Sequence, residues 1–370
     1  MIFIGLLLLT LSVMLLPILP ALIEWRWPSD VVPLQIDEAD ALDPPVLAHR
    51  FAALLQEVLR SGATHLGESA IAQLKAGKAD APWPFSPLEK SDNRSDRVWR
   101  IEGDIQLPTN FSFHAEVSAS ADLRTAPHAV YRALWADGAL YLAAHSSVLR
   151  WAHGAQVRIA EACVLAGRVT ATQSLVVGAG VQFTLLHAPV IDFAPSPRAV
   201  AASAPKRRAM TVWPAVVRWD AQLQRGLAGA SLVIEDGSAW QGDLVCMGDL
   251  SLGADCLVDG SLKARGDLQL GRGCRVIGSV FAEGSIHMAE GCTVLGAVVS
   301  ETALHVGAGG EFGAAGRPTT VAAPQLELAT GVRAHGTVWA GEKGWTAGER
   351  VPAPIPGQGL RINMTERAVA

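Results

Sequence analysis

Charge is scarce in this chain. Asp, Glu, Lys and Arg make up 18% of its 370 residues, and the net charge is −5. That balance gives no electrostatic argument for nucleic acid as a partner. Long amphipathic helical patterns are sparse after residue 100, which argues against a large α/β enzyme. There are five cysteines but no C-x-x-C pair, so a zinc site is not expected. Free thiols suit a reducing compartment. G-x-S-x-G, a Walker loop and H-E-x-x-H are all missing. His153 and His187 have no nucleophile or carboxylate at motif spacing. No catalytic, cofactor-binding or metal-ligating residue is assigned, and the chain does not read as an enzyme.

What the chain has is a repeat. From Gly242 the sequence falls into lines of 18 residues: GDLVCMGDLSLGADCLVD, GSLKARGDLQLGRGCRVI and GSVFAEGSIHMAEGCTVL. Leu250, Leu268, Ile286 and Leu304 stand 18 apart, as do Cys256, Cys274 and Cys292. A fixed period of this size marks a solenoid. Within a line, apolar or small residues come in pairs two apart, such as Leu250/Leu252, Cys256/Val258 and Leu262/Ala264. That spacing puts both members on one face of a short strand. Gly, Asp or Ser fills many gaps, where corners need their conformations. Three strands and three corners per line predict a triangular β-helix. Cys163, Cys256, Cys274 and Cys292 take one ladder position and read as core filling, since a buried free cysteine behaves as a small hydrophobe. His287 and His305 lie one coil apart at an outward position. Asp249 and Asp267 stack at a corner.

The period extends backwards, with coil leads at Ile105, Leu123, Leu140, Val157 and Leu175. It breaks at Ala194 and resumes at Leu232. A long insertion is expected to leave the stack at one corner and return at the same corner. Its second part, WPAVVRWDAQLQRGLAGA, suggests a short helix, and its Lys206, Arg207 and Arg208 read as a solvated loop. The expected fold is an all-β triangular β-helix (β-solenoid) of about 11–12 coils, each 17–18 residues.

Before the solenoid, Ile2 to Ile23 carries no charge, a length that suits a transmembrane helix. Trp25, Arg26 and Trp27 follow as an interfacial belt, and Arg26 favours the C-terminal side in the cytoplasm. Val46 to Arg60 has helical apolar spacing and reads as a helix packing on itself or on the solenoid. Glu68 to Lys75 suggests a second short helix, and Ala79 to Arg97 a polar linker. The expected organisation is an anchor over 1–24, a helical stalk and linker over 25–100, and solenoid over 101–193. An insertion over 194–231, more solenoid over 232–341 and a mobile tail over 342–370 complete it. Aromatics gather near the expected stack ends: Phe111 and Phe113 at the start, Phe312 and Trp339 at the finish. Strand edges at such ends invite another chain, so these four either cap the core or join subunits, and they are the self-association candidates.

The coil openings GDLVCMGDLSLGADC, GSLKARGDLQLGRGC and GSVFAEGSIHMAEGC resemble those of the bactofilins, a family of bacterial polymer-forming cytoskeletal proteins. The resemblance covers Leu232 to Ala340 and, more faintly, Ile105 to Phe193. It implies a β-helix that joins end to end without nucleotide and works as a scaffold for cell shape or envelope building. The expected partners are therefore membrane lipid, further copies of the chain, and envelope or cell-wall proteins. The expected location is the bacterial inner membrane, single-pass, with the solenoid in the cytoplasm. The alternative is a hexapeptide-repeat acyltransferase, whose coils also have 18 residues. Its hexad rule fits at Leu252-Gly253 and Leu270-Gly271 but fails where a hexad starts with Ala264 or Ala282.

Overall fold

The computed structural model describes residues 2–26, 43–75, 83–194 and 214–348. The chain divides into two compact units, Met1–Asp43 and Pro44–Ala370.

The first unit is α1 (Ile2–Leu15), a 3-10 turn (Leu16–Ile18) and α2 (Leu19–Arg26). The single spanning helix expected here is not what forms. Pro17 and Pro20 have no backbone N–H, so the i→i−4 ladder cannot run unbroken through them. Among the described residues no helix is long and apolar enough to cross a membrane. Phe3, Leu6, Leu9 and Met14 are all exposed.

The second unit is a β-solenoid of about 13 turns, built as two stacks. Parallel pairing between successive coils puts like residues over like. In the second stack Leu232, Leu250, Leu268, Ile286, Leu304 and Leu326 form one inner ladder. In the first, Trp99, Val117, Leu134, Ala152, Val169 and Leu186 form another. Alternation within each strand sends these side chains into the core, where every one is buried. The corners are held by side chains one coil apart. Asp249 Oδ1 accepts from the Asp267 amide at 2.9 Å, and Asp267 Oδ1 accepts from the Ser285 amide at 2.8 Å. A Cβ on Gly266 would collide with that Asp249 oxygen, so the corner needs glycine there.

The first stack starts earlier than Ile105. Ser69–Lys75 is a strand paired in parallel with Val98–Glu102, not a helix. Neighbouring edges outweigh the helical spacing, because a strand there completes the first coil. Val46–Arg60 is the expected helix, α3. Ala48, Phe51 and Leu55, on one helical face, pack on the outer side of a solenoid wall at Val98, Ala115, Ala133 and Trp151. The expected linker contains a further helix, α4 (Pro87–Asp92), with a capping box between Ser86 and Glu89. The segment expected to be a helix before Leu232 is a hairpin, Val217–Asp220 against Arg225–Ala228. Strand structure runs on to Thr346, past the expected end at 341. Residues 349–370 lie outside the described residues, as do Trp27 and the basic triplet of the insertion.

The largest departure concerns direction. The stacks do not follow one another. The last coil of the first stack, Gln182–Phe193, pairs antiparallel with the last coil of the second, Val332–Thr346. The chain therefore leaves the joint at Ala194 and re-enters at the opposite end of the second stack. Seven strands line that wall from Arg225–Ala228 to the joint, a span of about 29 Å at 4.8 Å per step. The 19 residues of 195–213 can reach roughly 63 Å when extended, so the connection is feasible.

Candidate functional site at the joint and the stack ends

The joint between the stacks uses all three walls. Phe183 faces Gly344, Leu186 faces Val338, and Phe193 faces Val332. Phe183, Leu186, Ala188, Ile191, Phe193, Val332, Ala334 and Val338 are buried, so one apolar core runs through. Burying a large apolar side chain is worth about 1.5–3 kcal/mol, which makes this contact a main support of the fold. Polar groups fix the register at the rim. Arg333 Nε donates to Asp192 Oδ1 at 2.7 Å, His187 Nδ1 meets Thr337 Oγ1 at 2.9 Å, and His335 Nδ1 meets the Pro189 carbonyl at 2.9 Å. The Val181 amide donates to Thr346 Oγ1, which in turn donates to the Gly178 carbonyl, both at 2.8 Å. The Asp192 carboxylate beside it raises the Arg333 pKa.

The start of the first stack is closed. Phe85 stacks on Phe111 at 4.2 Å between centroids, and Trp83 meets Trp99 and Phe113 edge-on at 5.3 and 6.2 Å. Phe111 and Phe113 are thus buried under this plug and not at an open end. Glu89 anchors the plug. Its carboxylate accepts from Ser95 Oγ at 2.6 Å, from Arg97 Nε at 2.9 Å and from the Ser86 amide at 2.8 Å, and it also bonds Arg97 Nη2. Burial pushes the Glu89 pKa up, but the bonds from Arg97, Ser95 and Ser86 outweigh it and hold it at about 2.

The other candidates spread over the fold. Phe312 is buried one coil short of the joint, over Ala334. Trp339 sits at the joint opposite Leu185 and is 52% exposed. Trp25 is exposed in the first unit beside Arg26. The structure does not bring the four aromatic candidates together. The sequence reading missed Trp83 and Phe85, although two aromatics in an otherwise polar stretch were a usable signal. Of the joint residues it named only Trp339 as a candidate; the Asp192–Arg333 pair carries no signal, because the two lie in unrelated lines.

The thiols fill the wall. Each ladder thiol donates to a carbonyl of the coil before: Cys163 to Ala143 at 3.2 Å, Cys256 to Glu235 at 3.3 Å, Cys274 to Gly253 at 3.0 Å, and Cys292 to Gly271 at 3.1 Å. All five cysteines are buried and free. Burial pushes Cys163 up to about 11. The bond with Cys256 lowers Cys274, but the bond with Cys292 and burial prevail, and its value rises to about 12. Among the described residues no group of three His, Cys, Asp or Glu could hold a metal. His287 and His305 stack at 4.5 Å in a groove of about 650 Å³, with His305 Nδ1 2.9 Å from Glu327 Oε2.

No family model, no curated protein and no solved structure matches this chain.

Proposed function

We propose that this chain is a non-enzymatic, self-associating scaffold of the bactofilin kind, held at a bacterial inner membrane by its apolar N-terminal segment. The joint carries the reading. Two coil ends already stack there through backbone pairing and a continuous apolar core. Association of separate copies by their ends needs no other chemistry. The tether rests on the first unit, where an uncharged run with exposed Phe3, Leu6, Leu9 and Met14 has a natural solvent in lipid. The broken helix would insert as a whole, with Trp25 and Arg26 at the interface and the solenoid on the cytoplasmic side. Scaffold action on envelope or cell-wall proteins then follows from position and assembly, not from catalysis.

The test is the full chain purified in detergent and viewed by electron microscopy. Rods joined end to end support the reading. Single rods at every concentration overturn it. A reporter fused after residue 370 checks the side of the membrane, and periplasmic activity there would remove the cytoskeletal part.

A further inference from the structure

We propose that two copies of this chain join through the start of the second stack, and that assembly stops at two. This rests on the self-association reading above and adds the surface, the symmetry and the number of copies.

Two stacks have four ends. The joint consumes both finishing ends inside one chain. The start of the first stack has its core covered by Trp83 and Phe85, locked by Glu89 and Arg97. His65–Leu66 folds back on the beginning of its first strand. That leaves the start of the second stack, where Val217–Asp220 covers one first-coil strand, Arg225–Ala228, and the other two keep an outer edge with no described strand on it. Here Leu232–Ile234 pairs with Leu250–Leu252 on one side and with no described strand on the other. Large apolar side chains are exposed around it, among polar ones such as Arg218, Gln222 and Glu235. Val216, Leu223, Val233 and Met247 are 69%, 58%, 76% and 45% exposed. They are four of only nine large apolar side chains exposed among the described residues of the second unit, so this end concentrates them. Val216 and Met247 each flank a strand end near one corner, two strand steps apart, because Val217 pairs with Ala228 and Ala228 with Cys246.

The occupant that fits is a second copy of the same end. The internal joint is a contact of like ends, antiparallel across it while parallel within each stack. Repeated between chains, that geometry is a two-fold contact, in which each residue meets its partner reciprocally. An exposed edge beside apolar side chains is the surface such a contact buries. A two-fold contact is closed. With the opposite end plugged, a third copy finds no equivalent face.

The experiment is sedimentation velocity of the full chain in detergent, from nanomolar to micromolar protein. The expected particle holds two copies of the 38.9 kDa chain. Val233→Lys and Met247→Lys should each weaken the pair at least tenfold, because a charge must then be buried in the contact. Leu149→Lys, at an exposed site on the first stack, should leave it unchanged, and circular dichroism should show all three variants folded. A pair that ignores Val233→Lys and Met247→Lys overturns the assignment of this face. Filaments or larger species overturn the limit of two while leaving self-association standing. A single copy at all concentrations overturns both.

Discussion

Cysteine replacement at the joint tests the tail-to-tail arrangement directly. Leu185 and Trp339 are partners in the antiparallel ladder. Facing residues in such a ladder have Cα atoms about 4.5–5.5 Å apart, inside the roughly 4.4–6.8 Å that a disulfide spans. Were the coils stacked in one direction from end to end, these positions would sit about seven coils apart, roughly 34 Å. The two arrangements therefore give opposite outcomes. In Leu185→Cys/Trp339→Cys, mild oxidation should form one intramolecular disulfide, seen as faster migration on a non-reducing gel and a mass lower by two hydrogens. The native thiols are buried, so they should not compete. The bond closes a loop of about 155 residues, which the chain-entropy model values at about 5 kcal/mol, less any strain. Oxidised protein should then resist urea more than reduced protein, with the difference abolished by dithiothreitol. If both new thiols react with a maleimide but never with each other, in dilute protein, the joint is wrong.

Two further outcomes follow from the same geometry. The Glu89 pKa is held at about 2, below its unfolded value, so its contribution is complete above about pH 4.5 and is lost as pH falls toward 2. Urea midpoints measured from pH 6 to pH 2 should fall more steeply for the native chain than for Glu89→Gln. The difference at neutral pH should be about 1–3 kcal/mol, since Arg97 is about a third exposed and solvent screens part of the pair. Parallel curves would show that the plug does not depend on this carboxylate. The five thiols should react with Ellman's reagent only after unfolding, because all five are buried, and at Cys163 and Cys274 a raised pKa suppresses the thiolate as well. Rapid labelling of folded protein would show that the wall opens.

The 18-residue period is legible without coordinates because every coil repeats one instruction, which positions face in and which make a corner. Leu250 over Leu268, Cys256 over Cys274 and the Asp249 corner all follow from that periodicity. So does α3, whose Ala48, Phe51 and Leu55 lie on one helical face. Short segments are less legible. Ser69–Lys75 and Val217–Ala228 look helical by spacing, yet the first is a strand and the second a hairpin, because a neighbouring edge is there to pair with. The plug is less legible still, because stacking of Phe85 on Phe111 joins residues from outside and inside the repeat.

The sequence by itself determined the coil, its length, its inner ladders and the two runs of repeats. It could not determine how those runs meet. An inward ladder is the same whichever way the next coil runs, since backbone N–H and C=O groups pair in either direction and apolar side chains pack without polarity. A connection of 19 residues reaches either end of the second stack. Only the tertiary structure chose, by setting Phe183 on Gly344, Leu186 on Val338 and Asp192 beside Arg333. That choice removed both finishing ends from the surface.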